Sequence, residues 1–249
     1  HVLRTVQPGG HDRRSHALVG HLPAQAQRRA LETEFGIADS GTVRRRALLV
    51  GGELRGIEDV VLGAENVLEP YVFIKRWTTM GDRNEISAGT ALGTDPLDKN
   101  FKGERSYLRI GNGNKIREHY TVSRGTAPES ETVIGDDNYI MTSGHIAHNC
   151  KIGSRTVIAS CALVAGHVEV EDQAFVSGGV VVHQYSRIGR LAMIGGNVRV
   201  NQDAPPYFLY ADFNIRPQGL NLVGLRRAGF SAQEIAALKP RRTKPSAGH

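Results

Sequence analysis

Residues 146–182 read IAHNCKIGSRTVIASCALVAGHVEVEDQAFVSGGVVV, and every sixth one, from Ile146 through Ile152, Ile158, Val164, Val170 and Val176 to Val182, is a branched aliphatic. A helix would repeat at 3.6 residues and a half-buried strand at 2, so a period of six belongs to neither. The same phase runs back to Leu62 and on to Val200. Of its 24 positions, 21 hold Leu, Ile, Val or Met, and the exceptions are Asp98, Glu104 and Pro128. Two residues before each aliphatic lies a small or medium one: Cys150, Thr156, Ala162, Val168, Ala174 and Val180. Residues i and i−2 of a strand face the same side. Each hexad therefore sends one aliphatic and one smaller side chain inward, which makes Cys150 a core residue.

Gly and Asn recur beside these positions in Gly81-Asp82-Arg83-Asn84, Gly111-Asn112-Gly113-Asn114 and Gly135-Asp136-Asp137-Asn138. Such residues tolerate the positive φ of a tight corner. Short strands with a corner every six residues form a polygonal solenoid. Three hexads close a triangular coil of 18 residues, coils stack about 4.8 Å apart, and the span 62–200 predicts nearly eight of them. General chirality rules alone favour a right-handed crossover.

Residues 94–107 and 125–132 lose the pattern and read as excursion loops, where binding residues concentrate. After Gln202-Asp203-Ala204-Pro205-Pro206 the repeat stops. Ser231 with Glu234 then forms a capping box for a helix from about 232. The expected organisation is an N-terminal extension over 1–35, poorly ordered; a β-helix over 36–203, with 36–61 as degenerate opening coils; and a short helical region with a basic tail over 204–249.

The chain has 249 residues, 29 of them Gly, and a net charge of +6 that points to anionic partners. The basic runs Arg44-Arg45-Arg46, Arg226-Arg227 and Lys239 to Lys244 come with no helix-turn-helix, zinc-finger or RNA-binding signature, which argues against nucleic acid. Cys150 and Cys161 make no disulfide framework, and the opening residues lack the apolar core of a signal peptide. No apolar run reaches the ~20 residues of a membrane helix, so stable membrane insertion is not expected. A cytoplasmic protein is the expectation.

Coil arithmetic brings histidines together. Residue 148 lies under 166, and 166 under 184, so His148, the Gly166-His167 pair and the His183-Gln184 pair stack along one edge. None occupies the inward phase, and His145 precedes inward Ile146. Such a cluster suits a metal site, a catalytic base with helpers, or plain packing.

The stretches SGHIAHNCKIG (143–153), LVAGHVEV (163–170), VVVHQYSRIG (180–189) and QDAPPY (202–207) resemble acyl-carrier-protein:UDP-N-acetylglucosamine O-acyltransferases. So do GTDPLDKNFKGE (93–104), IREHYTVSRGT (116–126) and GLNLVGLRRAGFSAQEI (219–235), in family order over about 60–238. The resemblance implies a left-handed parallel β-helix that trimerises, with active sites between subunits. It also implies transfer of a 3-hydroxyacyl chain from acyl carrier protein to the 3-hydroxyl of UDP-N-acetylglucosamine, which opens lipid A synthesis.

Within it His148 is the general base and the Gly166 N–H the oxyanion donor. Asp98 contacts the sugar, and His145, His167, His183 and Gln184 contact sugar, phosphate or the acyl-phosphopantetheine arm. Gly196 stands where acyl length is set, its missing side chain suggesting a longer chain, and Asn221 and Arg227 lie near the nucleotide. No metal or other cofactor is implied. The chain departs from the family pattern at Asn149 (aspartate is common), Asn100 (lysine) and Ala228 (arginine), and its helical region is shorter than usual. Two rivals remain. One is a zinc enzyme like the carbonic anhydrases of this fold, disfavoured because a paired H-x-x-x-x-H is missing. The other is an inactive solenoid that serves as a scaffold or binding module.

Overall fold

In the computed structural model, residues 48–50, 53–55, 59–213 and 215–238 are described. The expected extension (1–35), the run Arg44-Arg45-Arg46 and the basic tail from Lys239 lie outside them. The chain winds as a three-sided parallel β-helix. Face one is a seven-stranded sheet from Val61–Leu62 to Arg187–Ile188. Face two runs from Val67–Leu68 to Met193–Ile194, and face three from Phe73–Ile74 to Arg199–Val200. Register follows the expected period, with Ile146 beside Val164 and Val164 beside Val182.

There are seven coils rather than nearly eight, because the two excursions consume chain. Met80 pairs with Ile110, 30 residues on, and Ile110 with Ile134, 24 residues on, whereas Ile134 pairs with Ile152 after 18. The excursions thus insert twelve and six residues, whole hexads, so the aliphatic phase resumes unbroken after each. Asp98, Glu104 and Pro128, the three exceptions to the phase, lie in these inserts.

Corners recur with the same period. Positive φ occurs at Asp137, Ser143, Asn149, Arg155, Cys161, His167, Gln173, Gly179, Tyr185, Leu191 and Asn197, and only one of these is glycine. A non-glycine in this region costs ~1 kcal/mol or more. Each corner offsets the cost with a bond to the coil before: Cys161 N–H to Thr142 C=O at 2.9 Å, His167 N–H to His148 C=O at 3.0 Å, Asn197 N–H to Gly178 C=O at 2.9 Å.

The interior is one continuous column of aliphatics, and Cys150 is fully buried in it, its thiol pKa pushed up to about 12 by burial. Along face two the smaller inward position carries a ladder. Asn84 Nδ2 donates to Asn66 Oδ1 at 3.0 Å, Asn114 to Asn84 at 2.9 Å and Asn138 to Asn114 at 2.9 Å, and the Thr156 hydroxyl closes on Asn138 at 2.7 Å. Asn84, Asn114, Asn138 and Thr156 are buried, and these links pair polar groups that would otherwise carry a desolvation penalty. Tyr120 fills the lumen, and Gly144 makes room for it, since a Cβ there would meet the Tyr120 ring at 2.5 Å.

Both ends differ from expectation. Leu48–Val50 and Glu53–Arg55 form an antiparallel hairpin whose first strand pairs antiparallel with Phe73–Ile74. Among the described residues, parallel coiling therefore begins at Val61, and this part of 36–61 is a cap, not an opening coil. Beyond the last coil, Phe208–Ala211 extends face two and Arg216–Leu220 returns antiparallel to it. The C-terminal region is thus a hairpin followed by helices Leu222–Arg227 and Ala232–Ala237, the second with the expected Ser231–Glu234 capping box. A small second core, Leu191, Leu225 and Ile235 with Tyr207, Leu220, Phe230 and Leu238 against them, docks the helices on the edge between faces one and two.

Candidate active site

The chain passes from face three to face one at Ala147–Cys150, and the same edge carries 165–168 and 183–186 in the next two coils. His148 stands at this corner and is buried, 7% exposed. Its ring packs nearly perpendicular to that of His167 (centroids 5.3 Å, planes at 83°), and His167 stacks on Tyr185 (4.7 Å, 15°). Gly166 lies directly over the imidazole: a Cβ there would fall 2.4 Å from Cε1 and 2.7 Å from Nε2 of His148. The Gly166 amide has no acceptor among the described residues. The Nε2 side of the imidazole and the backbone of Gly166, whose amide is left without a partner among the described residues, are therefore adjacent.

On the other side of the ring, Nδ1 lies 3.0 Å from Asn149 Oδ1. That oxygen also accepts from the Thr126 N–H at 3.1 Å and the Thr126 hydroxyl at 2.9 Å, and the Asn149 N–H donates to Thr132 Oγ1 at 2.8 Å. Thr126 belongs to the second excursion. Sequence reasoning missed it, although both excursions leave from this same edge, one and two coils before His148.

His145 projects outward from strand His145–Ile146, with Nδ1 2.7 Å from Thr121 Oγ1. Its Nε2 is buried without a partner, and burial, then the neighbouring His148, holds its pKa below the usual histidine value despite the bond to Thr121. Burial and then His148 also lower His167. His183 and Gln184 are exposed, with His183 Nδ1 3.1 Å from the Gln184 carbonyl.

Asp98 closes its own turn, accepting from the Asn100 N–H at 2.8 Å. Its loop is held by Arg124, a 4%-exposed arginine whose guanidinium bonds Asp95 and lies between the Trp77 and Phe101 rings (5.0 and 5.2 Å).

The remaining site residues stand on other edges. Gly196 turns the corner from face two to face three and is exposed, with only the Gly178 carbonyl 3.5 Å from where a Cβ would be. Asn221 and Arg227 sit with the C-terminal helices. Asn221 is buried and its amide is spent inside the fold: Oδ1 caps helix Leu222–Arg227 at Gly224 N–H (3.0 Å) and Nδ2 donates to Leu191 C=O (2.9 Å). Arg227 is exposed in the last turn of that helix. No three His, Cys, Asp or Glu side chains among the described residues are grouped to hold one metal ion.

Two family models match: bacterial transferase hexapeptide (six repeats) over residues 131–166, and UDP-N-acetylglucosamine O-acyltransferase, domain 2, over residues 203–241. An acyl-[acyl-carrier-protein]–UDP-N-acetylglucosamine O-acyltransferase of Synechocystis is 43% identical over 168 residues, 68% of this chain and 61% of that protein. One of Verminephrobacter eiseniae is 45% identical over 163 residues, 65% of this chain and 62% of that protein. The chain thus spans about three fifths of these curated relatives. Among solved structures, the UDP-N-acetylglucosamine acyltransferase of Bacteroides fragilis superposes with a TM-score of 0.71 at 35% identity, covering 73% of this chain and 71% of that one. The Acinetobacter baumannii structure gives 0.71 at 36% identity with the same coverage. Hexapeptide repeats of this kind wind left-handed, and the coil takes that hand. On its repeats, its C-terminal region and its structural likeness, the chain belongs to the UDP-N-acetylglucosamine O-acyltransferase family.

Proposed function

We propose that the chain transfers a 3-hydroxyacyl group from the phosphopantetheine thioester of acyl carrier protein to the 3-hydroxyl of UDP-N-acetylglucosamine. The observation that carries this reading is the close approach of Gly166 to His148 Nε2, with a Gly166 amide that has no acceptor among the described residues. Nε2 takes the proton from the sugar O3 as that oxygen attacks the thioester carbonyl. The Gly166 N–H stabilises the oxyanion of the tetrahedral intermediate. Collapse forms the ester, breaks the C–S bond, and returns the proton from His148 to the departing thiolate. No step uses a metal or an organic cofactor.

Asp98, His145, His167, His183 and Gln184, all on or beside the His148 edge, are proposed to bind sugar, phosphate and the acyl-phosphopantetheine arm. Gly196, Asn221 and Arg227 occupy the two other edges of the prism, with Gly196 proposed to bound the acyl chain and Arg227 the nucleotide, while Asn221, its amide committed to the helix cap and the Leu191 carbonyl, holds the helix that carries Arg227. That division supports a homotrimer, in which edges of neighbouring chains meet to complete each site. The three chains are proposed to work in the cytoplasm. No helix among the described residues is long and apolar enough to cross a membrane.

The test is incubation with UDP-N-acetylglucosamine and a panel of 3-hydroxyacyl carrier-protein thioesters, read by mass spectrometry. A mono-acylated UDP-sugar is expected with at least one chain length. A folded protein that makes no product with any of them overturns the reading.

A further inference from the structure

The donors around Asn149 settle a question of proton placement that distances alone leave open. A side-chain amide can turn either its oxygen or its NH2 to a neighbour, and the two choices have opposite consequences for an adjacent imidazole. Facing Nδ1 with NH2, it would force the ring proton onto Nε2. Facing Nδ1 with oxygen, it accepts the ring proton there and leaves Nε2 with a lone pair. The wrong choice is severe: in a serine-protease triad, replacing the aspartate by asparagine costs about 10⁴ in kcat by holding the wrong tautomer.

Here the Thr126 N–H lies 3.1 Å from the same amide atom that meets His148 Nδ1 at 3.0 Å. A backbone N–H can only donate, so the atom between them must be the acceptor. The Thr126 hydroxyl, at 2.9 Å, adds a second donor to the same oxygen. Thr126 is held between two bonded neighbours, Gly125 N–H to Tyr107 C=O at 3.3 Å and Ala127 N–H to Ser130 Oγ at 3.0 Å. Asn149 is held by its corner: φ is +59° and its N–H is bonded to Thr132 Oγ1.

We propose that Asn149, pinned by Thr126, is the positioning residue that holds the proton of neutral His148 on Nδ1 and keeps Nε2 open toward Gly166. The inference deepens the proposed reaction, since it says which protonation state makes His148 a base, and it rests on that reading for its catalytic consequence. An uncharged partner suffices because the excursion, rather than a carboxylate, selects the tautomer.

The test uses the full chain labelled with ¹⁵N-histidine, with the His148 signals assigned by their loss in His148→Gln. Above the imidazole titration, Nδ1 is expected to show the shift of a protonated nitrogen and Nε2 that of an unprotonated one. Asn149→Gly suits a positive φ and so keeps the corner. It is expected to return the ring to a tautomer mixture and to lower kcat about tenfold or more, with KM for the sugar held within about twofold. Asn149→Asp, which offers oxygen in either orientation, is expected to restore both the Nδ1 proton and most of the lost kcat. A wild-type His148 protonated on Nε2, or an Asn149→Gly protein whose tautomer and kcat both match the wild type, overturns the inference. If the nitrogen shifts follow these expectations while no variant or wild type transfers acyl groups, the tautomer stands and the proposed reaction falls.

Discussion

Replacing Gly166 by alanine separates the ring of His148 from everything else at the site. The added Cβ would lie 2.4, 2.7 and 3.0 Å from Cε1, Nε2 and Nδ1 of His148. Carbon contacts settle near ~3.5 Å, so the ring has to withdraw by about 1 Å. It cannot swing freely, because Asn149 holds Nδ1 and the ring packs against His167. Gly166 is not among the glycines with positive φ, so alanine meets no backbone strain, and the amide donor survives the change. What is lost is the placement of Nε2, and a misplacement of ~1 Å costs about 10²-fold, or ~2.7 kcal/mol of activation free energy. Steady-state acyl transfer reads this as a fall in kcat, with thermal unfolding and circular dichroism confirming intact coils. A Gly166→Ala protein with kcat within about threefold of the wild type refutes the account of this contact.

Other consequences are more local. The Tyr120 hydroxyl is buried without a partner, and burial drives its pKa well above the ordinary phenol value, so Tyr120→Phe should raise stability by ~1 kcal/mol; a lower urea midpoint than wild type contradicts this. His145 has its pKa lowered from 6.5, chiefly by burial, so the unfolded chain binds its proton first and stability falls as pH drops below about 6.5 toward the folded value. His145→Gln should flatten that part of the stability–pH curve, and an unchanged slope assigns it elsewhere. A lysine at 124 cannot both bond Asp95 and stack between Trp77 and Phe101, so Arg124→Lys should loosen the first excursion and speed tryptic cleavage after Lys99 and Lys102. Equal cleavage rates, mapped by mass, contradict that clamp.

Much of the architecture was legible because one short rule repeats. The hexad phase located the inward column, and it survived the excursions only because these insert twelve and six residues. Had the first excursion inserted thirteen residues, the coil arithmetic linking 148, 166 and 184 would still have held, but the phase of Leu62 to Leu92 would no longer have joined that of Ile110 onward. The histidine edge followed from that arithmetic, as did core Cys150.

Long-range polar pairing was not legible. The asparagines at 66, 84, 114 and 138 share a phase, but their intervals of 18, 30 and 24 hide a straight ladder until the excursions are discounted. Thr126 lies in a loop whose path no periodicity governs, so its hold on Asn149 had no signal beyond proximity to a shared edge. Asn221 shows the opposite effect: read as a nucleotide contact, it is committed to a helix cap and to the Leu191 carbonyl, a local pattern that Asn followed by a helical segment could have suggested. The opening hairpin lies where the hexads fade, and its antiparallel pairing leaves no six-residue trace.

The most direct test of the central claim is single-turnover acyl transfer measured side by side for the wild type and His148→Ala. Both should bind UDP-N-acetylglucosamine with similar affinity and fold with the same β signature. The account predicts a 3-O-acylated product from the wild type and a rate at least ~10²-fold lower from the variant, as loss of a general base requires. A variant that acylates the sugar at the wild-type rate contradicts it.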